Sequence, residues 1–332
     1  MATQGFGCMG LSAFYSSAKD VTPETAKTVI HHAANSGVTL FNSATFYGPL
    51  NENGFGANLR LLKTAIEGLD RSKIQLMVKI CMDTRCPVEK TGTSWVLRAS
   101  AEDIQKDVDY ALEQLGTDYI DIIVLCRVPS DIPIEEVVQN MQTVVQSGKA
   151  RHIGLSEASA STIRRAHAVV PIYCIEQEWS LWSRDIEKEI VPACRELGIK
   201  IVAYSPLGRG FLTGTIKSLD SPALEGFDYR KMSPKFAEGN FQQNLSLVEA
   251  VQALADRKHI TVGQLALAWL HAQGPDVIPI PGTTKPAHFD QNYAAREVIL
   301  SKEELEEIET IFKVDAAVGE RYPGNHNTFH EN

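Results

Sequence analysis

The chain has 332 residues, 44% of them hydrophobic, which is enough apolar material to bury one large core. Its net charge of −9 and isoelectric point near 5.5 speak against a nucleic-acid backbone or an anionic membrane surface as partner, because both attract clustered Lys and Arg. No apolar run reaches the roughly 18 residues that span a bilayer, and the N-terminus lacks a basic segment followed by an apolar one; the expectation is a soluble cytoplasmic protein acting on a small molecule.

In chain order, short apolar runs alternate with amphipathic segments, the pattern of a strand and its crossover helix repeated. Eight strands are predicted: Phe6–Gly10, Val38–Phe41, Ile74–Lys79, Ile120–Leu125, His152–Leu155, Ile172–Glu176, Ile199–Tyr204 and Val277–Ile280. The fold class is therefore α/β, a (β/α)8 TIM barrel, which typically needs about 250 residues as one domain. We expect a single domain over 1–332, with 314–332 as a C-terminal tail. Pro23–Ser36 reads as a helix capped by Thr22, Ala101–Leu115 carries apolar residues at helical spacing, and Pro133–Ser147 begins with proline in its first turn. Gly37, Gly116, Gly148 and Gly198 follow such helices and suit left-handed C-terminal caps. Strict repetition breaks after strand 7, where a long polar loop from Gly208 precedes the predicted helices Leu245–Lys258 and Val262–Gln273. An insertion there reads as a lid or a substrate-side loop. The tail carries Arg321 and Tyr322; it either folds over the barrel mouth or stays loose.

The six cysteines, at 8, 81, 86, 126, 174 and 194, show no Cys-x-x-Cys spacing, so neither a zinc site nor a disulfide framework is indicated. Cys81 and Cys126 could approach each other across neighbouring strands. For Trp179, Trp182 and Phe211, ordinary packing and a place in a substrate wall are both open.

The stretch Gly37 to Gly48 reads Gly-Val-Thr-Leu-Phe-Asn-Ser-Ala-Thr-Phe-Tyr-Gly. Val38, Leu40 and Phe41 form an apolar run suited to a buried parallel strand, which places Asn42 and Tyr47 in the loop at its carboxyl end, where barrel enzymes carry their chemistry. This segment resembles the Phe-Asp-Thr-Ala-x-x-Tyr-Gly signature of the aldo-keto reductases. The resemblance spans nearly the whole chain, through Gly154-Leu-Ser-Glu-Ala-Ser, Tyr204-Ser-Pro-Leu-Gly-Arg-Gly and Ile280-Pro-Gly-Thr-Thr-Lys. Ser156-Glu-Ala-Ser-Ala-Ser-Thr-Ile-Arg-Arg-Ala-His-Ala and Ser180-Leu-Trp-Ser-Arg-Asp-Ile-Glu are most similar to the plant and microbial subgroup of perakine and pyridoxal reductases.

What the resemblance implies is an NADP-dependent oxidoreductase that reduces an aldehyde or ketone by hydride transfer. The family's tetrad of Asp, Tyr, Lys and His falls on Asn42, Tyr47, Lys79 and Cys126. Tyr47 would be the general acid. A tyrosine with a reference pKa of about 10 is a poor acid at neutral pH, and the Lys79 ammonium is expected to lower it. Asn42 offers no countercharge to Lys79, whose pKa burial alone would depress, and Cys126 is a weak donor. The cofactor residues implied are Tyr204 stacking on the nicotinamide, Ser156 and Gln177 at its carboxamide, and Ser205, Leu207 and Arg209 at the pyrophosphate. Glu157 stands where the family has Asn. Gly282, Thr283, Thr284 and Lys285 align with the adenosine 2′-phosphate site, followed by His288, Gln291 and Asn292; a lysine with hydroxyls favours NADP(H) over NAD. The alternative is a catalytically weak NADP(H)-binding protein with a redox-sensing or regulatory role.

Overall fold

A computed structural model describes residues 3–49, 51, 53–85 and 95–323. All eight predicted strands form: β1 Phe6–Gly7, β2 Leu40–Ala44, β3 Gln75–Ile80, β4 Ile120–Leu125, β5 Ala150–Ser156, β6 Cys174–Glu178, β7 Lys200–Tyr204 and β8 Val277–Pro279. Each pairs in parallel with the next. Backbone bonds from Gly5 N to Pro279 O (2.9 Å) and from Gly7 N to Pro281 O (3.4 Å) join the first strand to the last, so the curled sheet closes on itself.

Two boundaries differ from expectation in a way that matters for the site. β2 begins at Leu40 because Gly37 N and Val38 N still bond back to Ala34 O and Ala33 O in the turn that ends the preceding helix, and Gly37 takes a φ of +104° that suits glycine. Asn42 consequently lies within the strand and not in the loop after it. β6 likewise runs two residues further than expected, to Glu178. β1 is shorter than predicted and passes into a turn at Met9–Leu11.

Residues alternate between the two faces of the closed sheet. Leu40, Met77, Ile122, Val124, Cys174, Val202, Ile278 and Ile280 fill the interior, while Phe41, Leu76, Val78, Ile123 and Ile201 face the surrounding helices. Helices α1 Pro23–Asn35, α2 Ala57–Ala65, α3 Ala101–Leu115, α4 Ile134–Gln146, α5 Ala160–Val169 and α6 Ile190–Leu197 follow the first six strands. Thr22 caps α1 by accepting from Thr25 N. Gly37, Gly116, Gly148 and Gly198 all adopt positive φ at the helix ends, as expected.

After β7 the insertion folds as short 3-10 turns and two helices, α7 Glu238–Ala250 and α8 Gln252–Arg257, where one helix over Leu245–Lys258 was expected. Its start was hidden by polar residues around the buried Phe241, Leu245 and Val248, which hold helical spacing. The helix α9 Val262–Ala272 then leads to β8, followed by α10 Pro286–Ala294 and α11 Lys302–Ile311. Of the tail, residues up to 323 are described, and these fold over the barrel mouth, with Arg321 buried; the rest of the tail, like Cys86, lies outside the described residues. The other five cysteines are free and buried. Among the described residues no helix is long and apolar enough to cross a membrane.

Candidate active site

The carboxyl ends of the strands open onto a cleft of about 610 Å³, the end at which such barrels place their sites. Its floor carries Asn42, Tyr47 and Glu176, and one wall is the turn after β7 with Tyr204, Ser205, Leu207 and Arg209. The opposite side carries Gly282, Thr283, Thr284, Lys285, His288, Gln291 and Asn292, the last four at the start and along the length of α10. The insertion roofs part of the cleft by gripping the loop after β1: Asp228 accepts from Ser16 N at 2.9 Å, and Tyr229 N donates to Phe14 O at 2.9 Å.

Tyr47 owes its position to the first turn of α2. Its carbonyl accepts from Asn58 N at 2.9 Å, while the Asn58 side chain accepts from Ser43 Oγ at 2.6 Å and donates to Cys8 O at 2.9 Å. The ring packs with Phe46 and, edge-on, with Phe14 in an apolar cluster that includes Cys126, Phe55 and Met82. Lys79, pointing inward from β3, places Nζ 4.8 Å from the Tyr47 ring centre. Lys79 and Cys126 are 3% and 4% exposed and lie beneath the cleft instead of lining it.

Lys79 does not lack a carboxylate, contrary to the expectation drawn from Asn42. Glu176 Oε1 sits 2.7 Å from Lys79 Nζ. Burial opposes the ammonium, but Glu176, Tyr47 and Cys126 outweigh it and hold Lys79 above its ordinary range. The Tyr47 hydroxyl also departs from expectation. Burial raises it, Lys79 pulls it down, Glu176 raises it again, and the net direction is upward, so the phenol stays protonated throughout the physiological range. Burial likewise keeps Cys126 a thiol, against the opposing pull of Arg127 and Lys79.

Two expected cofactor contacts are not brought into the cleft. Gln177 lies on the face of β6 opposite to Glu176; its Nε2 donates to Ala158 O at 3.0 Å and its Oε1 has no hydrogen-bond partner among the described residues. Ser156 is 3% exposed and does not line the cleft. Glu157, next to it, forms a buried cage. Its carboxylate accepts from Arg321 at 2.8 and 3.2 Å and from the Tyr204 hydroxyl at 2.8 Å, with Arg127 at 3.6 Å. Burial alone would raise this carboxyl; Arg321 and then Arg127 outweigh it and bring it down to about 2. The Tyr322 hydroxyl lies 2.7 Å from that of Tyr204, so the tail reaches the cleft wall. Trp182 stacks on Phe211 with centroids 4.7 Å apart, and Trp179 meets Trp269 edge-on; these aromatics are buried and serve as packing.

Arg209 is paired with Glu178 through Nη2 at 3.4 Å, and its Nη1 is buried without a hydrogen-bond partner among the described residues; Lys285 is exposed with no carboxylate within ion-pair distance among them. Both cations face the cleft, which suits a ligand carrying phosphates. Sequence reasoning missed Glu176, Arg127 and the Glu157–Arg321 cage. A one-residue slip along a strand would have found Glu176, since strand residues two apart share a face.

A closed eight-stranded barrel with its cleft at the carboxyl ends of the strands has the architecture of the (β/α)8 enzymes. The family model of the aldo/keto reductases matches residues 6–313, and the chain belongs to that family, whose members use a nicotinamide cofactor. Among solved structures it is similar to the glycerol dehydrogenase AKR11B4 from Gluconobacter oxydans, with 26% identity, 94% of this chain and 91% of that chain covered, and a TM-score of 0.79.

Proposed function

We propose that the chain, as one barrel domain, is an NADP-dependent reductase of an aldehyde or ketone, with Tyr47 as the proton donor. The observation that carries this reading is the placement of Tyr47 at the floor of a cleft whose walls hold Arg209 and Lys285. When bound, the reduced cofactor supplies a hydride to the carbonyl carbon. Tyr47 gives its proton to the carbonyl oxygen as negative charge develops there. Lys79 stabilises the phenolate that this leaves. Cys126, 4% exposed beside Tyr47, shapes the apolar surroundings and adds little as a donor. Tyr204, Ser205, Leu207 and Arg209 would hold the nicotinamide and pyrophosphate, and Thr283, Thr284 and Lys285 with the start of α10 the 2′-phosphate.

The subgroup of perakine and pyridoxal reductases is supported by the motifs after β5 and β6 and makes pyridoxal a first substrate to try. The similarity to a glycerol dehydrogenase adds polyols as substrates for the reverse reaction. A weakly active regulatory protein fits less well, because the Lys79–Glu176 pair supplies the countercharge that Asn42 lacks. The test is a panel of aldehydes, including pyridoxal, with NADPH, following the absorbance of the reduced nicotinamide. Aldehyde-dependent loss of that absorbance is expected; tight NADPH binding with no turnover on the panel would favour the regulatory reading.

A further inference from the structure

Three polar side chains form a closed ring inside the barrel. Lys79 Nζ donates to Glu176 Oε1 at 2.7 Å and to Asn42 Oδ1 at 2.8 Å, and Asn42 Nδ2 donates to Glu176 Oε2 at 2.8 Å. They come from β3, β2 and β6, and β2 and β6 are not neighbours in the sheet. Asn42 and Glu176 therefore meet across the interior. All three are buried, at 2%, 3% and 2% exposed for Asn42, Lys79 and Glu176, and among polar atoms of the ring none is orphaned.

We propose that Glu176 is the positioning carboxylate of this site: through the Asn42 amide and the Lys79 ammonium it fixes Lys79 in its charged form beneath Tyr47. The proposal rests on the carbonyl-reductase reading above and deepens it by giving Glu176 a defined role within the ring. The chemistry of each member dictates the others. An ammonium has donors only, a carboxylate acceptors only, and an amide one of each face; Asn42 is the residue that can accept from Lys79 while donating to Glu176. An aspartate at 42 would bring a second carboxylate within about 3 Å of the first, with one ammonium between them, and would force one of the two to take up a proton. The amide at 42 and the carboxylate at 176 are thus one arrangement, with the negative charge carried on the far side of the barrel.

Among the described residues, the other titratable groups facing this ring are Tyr47, Cys126 and Cys8 on the Lys79 side and Cys174 near Glu176. All four are held protonated, burial being the largest cause in each. Among the described residues Glu176 is accordingly the one carboxylate in contact with Lys79. It also opposes ionisation of Tyr47, which keeps the phenol a donor, as reduction requires. Removing the charge at 176 would free both Lys79 to lose its proton and Tyr47 to ionise at lower pH. Either event ends proton donation assisted by an ammonium.

The experiment compares Glu176→Gln, Asn42→Asp and the double variant with the natural sequence. Two readouts are taken: the alkaline limb of NADPH-dependent turnover on an aldehyde whose hydride step is rate-limiting, and the urea midpoint of unfolding at neutral pH. Glu176→Gln is expected to move the alkaline limb down by about one pH unit or more and to lower the midpoint. Asn42→Asp alone lowers the midpoint, because two carboxylates crowd one ammonium. The double variant, which moves the charge from 176 to 42, recovers most of both. A Glu176→Gln protein that keeps the natural alkaline limb overturns the proposal, as does a midpoint that recovers in the double variant while the limb does not. Should Glu176→Gln fail to fold, folding of the double variant supports the proposal and its failure overturns it. If the natural protein reduces no carbonyl compound, the functional reading falls instead. The unfolding midpoints then decide the ring alone, and no recovery in the double variant overturns it.

Discussion

Arg321 closes on Glu157 across 164 residues of sequence, Nη2 2.8 Å from Oε2 and Nη1 3.2 Å from Oε1. The contact ties the tail to the end of β5 and, through the shared Tyr204 hydroxyl, to the wall of the cleft. Glu157 is fully buried and Arg321 nearly so, so neither charge can be left alone at small cost.

This pair sets a pH dependence whose sign follows from Glu157. Its carboxyl lies at about 2 in the folded chain against about 4.3 unfolded. A depressed acid stabilises above its unfolded value, and that stability is lost as pH falls through the folded value. Between pH 5 and pH 2, urea unfolding of the natural chain should lose on the order of 2–3 kcal/mol more than that of Glu157→Gln. Parallel curves for the two proteins would show that the pair contributes nothing of this kind.

Lys285 should discriminate between the two nicotinamide dinucleotides. It stands exposed at the cap of α10, its backbone N–H bonded to Thr283 Oγ1 at 3.1 Å. Loss of one charge-assisted phosphate contact costs about 1.5 kcal/mol or more, roughly tenfold in affinity. Fluorescence titration of Lys285→Ala is expected to show weaker NADPH binding with NADH unaffected; equal affinities for both cofactors in the natural protein would remove the basis for the preference.

Gly208 should not tolerate a side chain. Its φ is +55°, and an added Cβ would lie 2.6 Å from the Trp182 indole, which is itself pinned by Phe211 and Phe236. Backbone strain and overpacking together cost roughly 2–3 kcal/mol. Gly208→Ala should melt several degrees lower and bind NADPH more weakly, since Gly208 shapes the turn that carries Arg209. An unchanged melting temperature would mean that Trp182 moves aside freely.

Most of the barrel was legible because buried parallel strands read as apolar runs and helix ends read as glycines. Asn42, Tyr47, the turn from Tyr204 to Arg209 and the residues around Lys285 were singled out from sequence, and the fold brings them to the floor and two walls of one cleft, with Lys79 beneath it. What escaped depended on facing and on long-range contact. Gln177 and Glu176 are adjacent, and a slip of one along a strand exchanges the interior for the exterior; only the closed barrel shows that Glu176 reaches Lys79. The Glu157–Arg321 cage joins segments whose spacing carries no period. The start of α7 was masked because a helix on the outside of the insertion needs only a narrow apolar stripe, here Phe241, Leu245 and Val248.

The most direct test of the account is the Tyr47→Phe variant, assayed with NADPH and an aldehyde whose hydride step limits turnover, alongside fluorescence titration of the cofactor. The hydroxyl acts only where charge develops on the carbonyl oxygen, so its loss should appear in turnover and not in cofactor affinity. We expect turnover to fall by about a hundredfold or more with NADPH binding within about twofold of the natural protein. Natural turnover in Tyr47→Phe would contradict the assignment of Tyr47 as the proton donor.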